Sequence, residues 1–409
     1  MRLVSQLGST AARRGAMREF AQRHQMSKDE YRTVLYDDPG RVDAAAWDRI
    51  VCADADANPF VRHAFMHALY SSGAATPDTG WYTRVVTLWR SNQLVAIVPL
   101  YAKTHSYGEY VFDWGWADAH ERRGVPYYPK GVVAVPFTPV PGTRIIAADP
   151  AARQRAIATL LDLVSAMGLS SLHVLFAPRS QIEALARAGM LVRTNVQFHW
   201  HNHGYHGFDA FLEALTQPKR KKIRAERRKV QQEGIALERR IGSEITEQDW
   251  RFFVRCYQNT YAAHGATPYL NLNFFLTIAR HMPENLLLVR ATLDGRPIAS
   301  ALALFDRERG ELYGRYWGAL VHVPCLHFEC CYYQMIDFAI EQGLQVFQGG
   351  AQGEHKIARG LEPQITESAH WLREPSMHTA VRRFIEHERQ SMAAIIDELN
   401  EHRALRRPR

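Results

Sequence analysis

Arg84-Val85-Val86-Thr87-Leu88-Trp89, the turn Ser91-Asn92-Gln93 and the apolar run Leu94 to Tyr101 spell a strand, a tight turn and a second strand. They are followed by Gly108-Glu109-Tyr110-Val111-Phe112-Asp113-Trp114-Gly115-Trp116-Ala117. The pattern returns 202 positions later: Leu286 to Leu293, the turn Asp294-Gly295, the run Pro297 to Phe305, then Gly310-Glu311-Leu312-Tyr313-Gly314-Arg315-Tyr316-Trp317-Gly318-Ala319. Asn92-Gln93 aligns with Asp294-Gly295, and Gly108-Glu109 with Gly310-Glu311, with no gap between. Each copy continues into a helix ending in Gly-Leu and a short apolar strand, Met167-Gly168-Leu169 before Leu172 to Phe176 and Gln342-Gly343-Leu344 before Val346-Phe347. A duplicated α/β unit accounts for this order.

The 409 residues leave room for two domains, each with its own core. A hydrophobic content of 46% and a charged content of 22% are those of a globular protein. No stretch approaches the run of about 18 apolar residues that a membrane helix needs. The Arg- and Ala-rich start, residues 1–30, lacks an apolar core of the secretory type and is expected to be a poorly ordered extension. Five cysteines without a CxxC pair point to a reducing, cytoplasmic compartment and away from a zinc site.

Charge is concentrated in one place. Pro218 to Lys229 carries eight basic residues against one acid, a net +7 in a chain whose total is +8. Pro218 suits a first helical turn and Gly234 ends the run, so residues 218–233 are expected to form a basic helix. Its like charges disfavour an isolated helix. Either it is a solvated face partly neutralised by Glu213, Glu226 and Glu233, or Lys219, Arg220, Lys221, Lys222, Arg224 and Arg228 hold the phosphates of a nucleotide-linked substrate or an RNA backbone.

Periodicity and caps fill in the remainder. Residues 31–205 should form a first domain with helices over Asp43 to Ala53, after Asn58-Pro59-Phe60, over Ala151 to Met167 and over Ser180 to Ala188. Beyond its hairpin it should have strands at Tyr110 to Trp116, Leu172 to Phe176 and Val192 to Trp200. Residues 206–375 should form a second, with the basic helix, a helix opened by Thr246 and Asp249, another over Asn271 to His281, the second hairpin, a strand at Leu312 to Trp317 and a helix over Phe328 to Gln342. Residues 376–409 should be a closing helix and basic tail.

Two constellations suggest chemistry. Gly349-Gly350-Ala351-Gln352-Gly353-Glu354-His355-Lys356 leaves a buried strand and brings a base, a proton carrier and a cation to one turn, where Gly349, Gly350 and Gly353 let the backbone approach a ligand. Amide formation needs a neutral amine, a proton acceptor and stabilisation of an oxyanion. Glu354 or His355 would take the proton, and Lys356 with Arg315 would stabilise the charge. Tyr313, Tyr316 and Trp317 are expected chiefly in the core, with Trp317 able to stack on a ligand ring. In the first copy Asp113 lies among aromatic residues, either paired or functional, near Lys103, His105 and Glu109. His199, His201 and His203 alternate along one strand without a local carboxylate, so hydrogen bonding is expected there and no metal.

Asn58-Pro59-Phe60, His105 to Trp114, Leu172 to Phe176, Gln197-Phe198-His199-Trp200, Arg315-Tyr316-Trp317-Gly318 and Gly349 to Lys356 together resemble the FemAB-like group of N-acyltransferases, described as peptidoglycan biosynthesis or recognition proteins. The resemblance covers about residues 36 to 400. It implies an α/β (α+β type) fold of two tandem GNAT-like domains, each a mixed, largely antiparallel sheet flanked by helices, and transfer of an aminoacyl or acyl group to an amine. It also implies that Lys356 contacts substrate and stabilises the oxyanion, and that Asp113, Lys103, His105 and Glu109 line an acceptor cleft. No tightly bound cofactor is implied. Fem enzymes take aminoacyl-tRNA as donor. GNAT enzymes take acyl-CoA, whose pyrophosphate they hold with Q-x-x-G-x-A, and here the matching junction, Ala319 to His327, has no glycine after Gly318. The basic helix is much shorter than the helical arm of tRNA-dependent relatives. A non-catalytic binder of peptidoglycan precursor or RNA, and an acyl-CoA-dependent acetyltransferase, stand as alternatives. The expected partners are a nucleotide- or lipid-linked precursor, tRNA, and the surface of a membrane.

Overall fold

Both hairpins close through the same local geometry. In the computed structural model, which describes residues 31–405 apart from positions 352 and 402 and the side chains at 354, 393, 400 and 401, Ser91 and Asn92 have φ of 49° and 63°, and Asp294 and Gly295 have 48° and 72°. Two consecutive positive φ values define the mirror-image turn that matches strand twist. Ser91-Asn92, not Asn92-Gln93, is therefore the counterpart of Asp294-Gly295, a one-residue shift from the sequence alignment. Three residues beyond each turn the second strand bulges: Val95 is skipped in one ladder and Ile298 in the other. The duplication thus reaches to the irregularities.

The chain divides into two units, the first comprising the described residues up to Arg193 with Glu367–His387, the second Thr194–Thr366 with the segment from Glu388. In order, the first has strand β1 (Tyr31–Tyr36), helices α1 (Ala44–Ala53) and α2 (His63–Ser71), strands β2 (Trp81–Arg90) and β3 (Gln93–Lys103), helix α3 (Trp114–Arg122), strands β4 (Lys130–Val133) and β5 (Ile146–Ala147), helix α4 (Pro150–Ala166), strand β6 (Ser171–Ala177) and helix α5 (Arg179–Arg187). Strand β7 (Leu191–His201) leads into the second unit: α6 (Phe208–Ala214), α7 (Gln217–Gln232), β8 (Ala236–Ile241), α8 (Glu247–Ala263), α9 (Leu272–His281), β9 (Leu286–Leu293), β10 (Arg296–Asp306), β11 (Glu311–Ala319), α10 (Gln334–Glu341) and β12 (Val346–Gln348). Strand β13 (Glu362–Leu372) and α11 (Pro375–Glu401) complete the chain.

In the first unit the sheet order is β1-β2-β3-β4-β6-β13, antiparallel except for the parallel pair β4–β6; in the second it is β8-β9-β10-β11-β12-β7, antiparallel except for β11–β12. The two orders correspond position by position. Capping follows from sequence: Asp43, Asp149, Thr246 and Asn271 each accept a backbone N–H at the start of a helix. On α4, Ala152, Ala156, Ile157, Leu160, Leu163 and Val164 recur at helical spacing and are buried with Val98, Leu100 and Val174 of the sheet. In the second unit Trp250 of α8 stacks on Phe275 of α9, which Phe253 and Tyr257 meet edge-on. Ile223 and Val230 of α7 join a separate core with Phe211, Phe338 and Phe347.

One expected element is corrected. Tyr110 to Trp116 is not a strand: Gly108 and Tyr110 take φ of 81° and 60°, the chain turns, and Asp113 precedes α3. The strand equivalent to β11 is β4, beginning at Lys130. The inserted segment is bent because Lys130 draws Glu109 and Asp113 into the interior. The extension 1–30 and the last residues of the basic tail lie outside the described residues.

Candidate active site

In the second unit β10 and β11 fall out of register, Leu302 facing Tyr316 and Ala303 facing Gly314, so that Arg315 is an extra residue on β11. A bulge bends its strand and re-aims a side chain. Beyond Tyr313, β11 has no further pairing with β12, which ends at Gln348. In the opening lies a cavity of about 130 Å³ lined by Gly314, Arg315, Trp317, His327, Cys331 and Gly349, among others. A side chain at Gly349 would displace Leu361 and press on the Phe198 carbonyl. The helix flanking the cavity is irregular too. Cys325 has a φ of 68°, and Glu329–Tyr333 is π-helical before α10 begins, a distortion frequent at functional sites.

Past the cavity Gly350 and Gly353 have φ of 79° and 97°, and a 3-10 helix, Glu354–Arg359, follows. Lys356 is buried, 5% exposed, and its Nζ donates to the carbonyls of Gly350 at 3.1 Å and Ala351 at 2.8 Å. Burial lowers its pKa to about 8. His355 stands 3.1 Å from the Tyr332 hydroxyl through Nε2. Burial, and then the Arg359, Lys356 and Lys222 cations, lower its pKa, which favours the neutral imidazole. Arg315 reaches the Tyr316 hydroxyl at 3.2 Å. Trp317 lies 5.5 Å from the His327 ring, whose pKa burial lowers to about 4. The Glu354 side chain lies outside the described residues. Arg315, Trp317 and Gly349 therefore share one cavity, and His355, through Tyr332, adjoins its lining.

The basic helix α7 packs by Ile223, Glu226 and Val230. Lys221, Lys222, Arg224 and Arg228 are exposed, Lys219 and Arg220 half-buried. Its single acid faces inward with Ile223 and Val230. Glu226 pairs with Arg359 at 2.8 Å, Arg227 pairs with Glu329 at 3.2 Å, and Arg224 lies 3.7 Å from Asp209. Sequence reasoning missed Arg359, which sits only three residues from Lys356.

The first-unit candidates gather round a residue that sequence reasoning also missed. Lys130 Nζ donates to Ser106 at 2.7 Å, to Glu109 at 2.7 Å and to Asp113. Tyr127 donates to Asp113 at 2.5 Å and lies 3.2 Å from His173, whose Nδ1 is 2.8 Å from that of His370. Lys103 donates to the Tyr107 carbonyl at 3.0 Å, lies 3.3 Å from His105 and stands 3.6 Å from the Trp81 ring centroid. Burial raises Glu109 to about 7 and lowers Lys103 to about 7. Asp113 is held below the carboxylate range by Lys130, against the opposing effect of burial. All four ionic groups are at most 4% exposed. A lysine heading the apolar run Lys130-Gly131-Val132-Val133 was the available signal, since a buried cation requires a partner. His199 is half-buried, and its buried Nε2 has no hydrogen-bond partner among the described residues. His201 contacts Gln364 at 3.2 Å, and His203 lies 3.8 Å from Glu362.

A mixed sheet with one parallel strand pair, built twice and flanked by helices, is a tandem GNAT-like fold. The chain belongs to the FemAB-like family, described as peptidoglycan biosynthesis/recognition, whose model matches residues 39–407. Three solved structures share the fold at low identity. They are FemX (12% identity, TM-score 0.52, 85% of this chain and 100% of that one), L-PGS from Bacillus licheniformis (10%, 0.52, 84% and 97%) and the C-terminal domain of a putative lysylphosphatidylglycerol synthetase from Agrobacterium fabrum (10%, 0.51, 83% and 94%). No curated protein sequence matches the chain significantly. No helix among the described residues is long and apolar enough to cross a membrane.

Proposed function

We propose that the protein transfers an aminoacyl or acyl group to an amine of a phosphate-bearing cell-wall or lipid precursor, and that the chemistry takes place in the second unit. The observation that carries this is the bulge cavity, where Arg315 reaches the opening in the sheet beside the turn that holds Lys356. Its volume is that of about four water molecules, which suits a small acyl group rather than a whole donor. The amine nitrogen attacks the donor carbonyl, the Arg315 guanidinium and the remaining N–H of Lys356 meet the developing oxyanion, and the bond to the donor's leaving group breaks. His355, neutral because burial and adjacent cations disfavour its charged form, takes the amine proton and delivers it to the leaving atom. The exposed cations of α7 hold donor or acceptor phosphates.

Two of the three Lys356 donors already serve backbone carbonyls of its own turn. That favours a second reading, in which Lys356 closes the turn and the protein binds a precursor without converting it. Purified protein supplied with charged tRNA or acetyl-CoA and a nucleotide- or lipid-linked muropeptide, with products followed by mass spectrometry, separates the two. Transfer should occur and should fall roughly a hundredfold or more in Lys356→Ala. Binding of the muropeptide without any product supports the second reading.

A further inference from the structure

We propose that Glu226 and Arg359 form a positioning clamp that fixes the Lys356 turn to the basic helix, so that phosphate capture on α7 and the placement of Lys356 are mechanically one unit. Glu226 is the only acid in the cationic run, and it points inward. Its two oxygens accept from Arg359 Nη2 at 2.8 and 2.9 Å. The Tyr333 hydroxyl, which burial keeps protonated, donates to the same carboxylate. Arg359 is 1% exposed, its guanidinium lies 3.4 Å from the Phe328 ring centroid, and Nη1 donates to the His355 carbonyl at 2.6 Å.

One guanidinium therefore ties together the helix that carries the phosphate-reading cations, the π-helical segment through Tyr333, and the backbone adjoining Lys356. The next residue of α7 repeats the device, Arg227 pairing with Glu329 at the other end of that segment while lying over the Phe208 ring at 4.3 Å. Buried charge is costly unless it is fully paired and hydrogen-bonded. Hydrophobic residues of similar size would pack α7 at lower cost, so the retained pair points to orientation rather than stability. Neither residue reaches the cavity, so both act through Lys356 and His355.

The clamp rests on the transfer reading above, and its test includes readouts that do not need turnover. In Glu226→Gln and Arg359→Lys, with Glu226→Asp as the conservative control, amide hydrogen exchange is followed across residues 349–361. The pH dependence of Lys356 labelling by fluorodinitrobenzene is followed by mass spectrometry. Cys331, His199, His327 and His355 interact electrostatically with Lys356 and are left unsubstituted. We expect exchange in the turn to quicken about tenfold or more and Lys356 to titrate at higher pH as its burial loosens. We also expect kcat to fall at near-constant KM, with Glu226→Asp restoring part of each. Unchanged exchange and unchanged Lys356 titration in folded variants overturn the clamp. If both shift while the wild-type protein transfers nothing from any donor, the clamp stands and the transfer reading falls.

Discussion

Glu109 and Glu311 follow the same hairpin and the same left-handed glycine, yet their fates differ. Glu311 opens β11, accepts from Gln348 at 2.9 Å and leads to the bulge at Arg315. Glu109 turns inward to Lys130, and the strand that should follow is delayed by α3 until Lys130 itself begins β4. One template thus produced a sealed network of charge in the first unit and a bulged sheet with a cavity in the second. The lesson is that the insertion between hairpin and third strand, not the hairpin, sets the two copies apart.

The contrast breaks most sharply at Lys130. Lys130→Ala strands two buried carboxylates, and breaking such a pair costs about 3–5 kcal/mol; denaturant unfolding should register a loss of that size. Lys130→Met combined with Glu109→Gln and Asp113→Asn should recover most of it, because the demand for a partner disappears with the charge. Lys356→Ala, which leaves two carbonyls of its turn without a donor, should cost less stability than Lys130→Ala but roughly two orders of magnitude in turnover. If Lys356→Ala unfolds the protein while Lys130→Ala leaves it intact, the assigned roles are reversed.

A pH titration of stability sharpens the same comparison. Glu109, raised to about 7 by burial, binds more protons folded than unfolded, so its contribution is greatest below its ordinary pKa and is lost as pH rises to 7. Lys103, lowered to about 7, binds fewer protons folded, so its penalty is full below 7 and lifts as pH rises toward its ordinary value. Together they predict a dip in stability near pH 7, whose acid-side limb Glu109→Gln should remove; a flat profile in the parent protein would contradict the two shifts.

Much of the fold was legible because its signals are local. Period-2 runs with Ser91-Asn92-Gln93 and Asp294-Gly295 between them gave the hairpins, and Asp43, Thr246 and Asn271 marked helix starts. Helix α3 was hidden because Tyr110 to Trp116 alternates like a strand and carries Gly115. The site was half legible. The glycine turn and Lys356 showed themselves by composition, and Arg315 by its place in the repeat. Lys130 finds its carboxylates 17 and 21 residues away, and Arg359 finds Glu226 133 residues away. Such pairing leaves no local pattern, so Glu226 read as one of three acids neutralising a solvated face when it is the buried anchor of the basic run.

The smallest effect belongs to the exposed face of α7. Lys221, Lys222, Arg224 and Arg228 replaced together by Ala should change stability little, each within about 0.5 kcal/mol. The same change should weaken salt-sensitive binding of a phosphate-bearing ligand and flatten its dependence on ionic strength. Retained binding with an unchanged salt slope would move the phosphate site elsewhere.

The most direct measurement is single-turnover amide formation from neutral to alkaline pH by the parent protein and by Lys356→Arg. If a charged Lys356 stabilises the oxyanion, the parent rate falls as pH rises through about 8, where this buried amine loses its proton. The arginine variant, charged throughout, shows no such fall. Superimposable profiles for the two proteins would contradict the placement of the reaction at this turn.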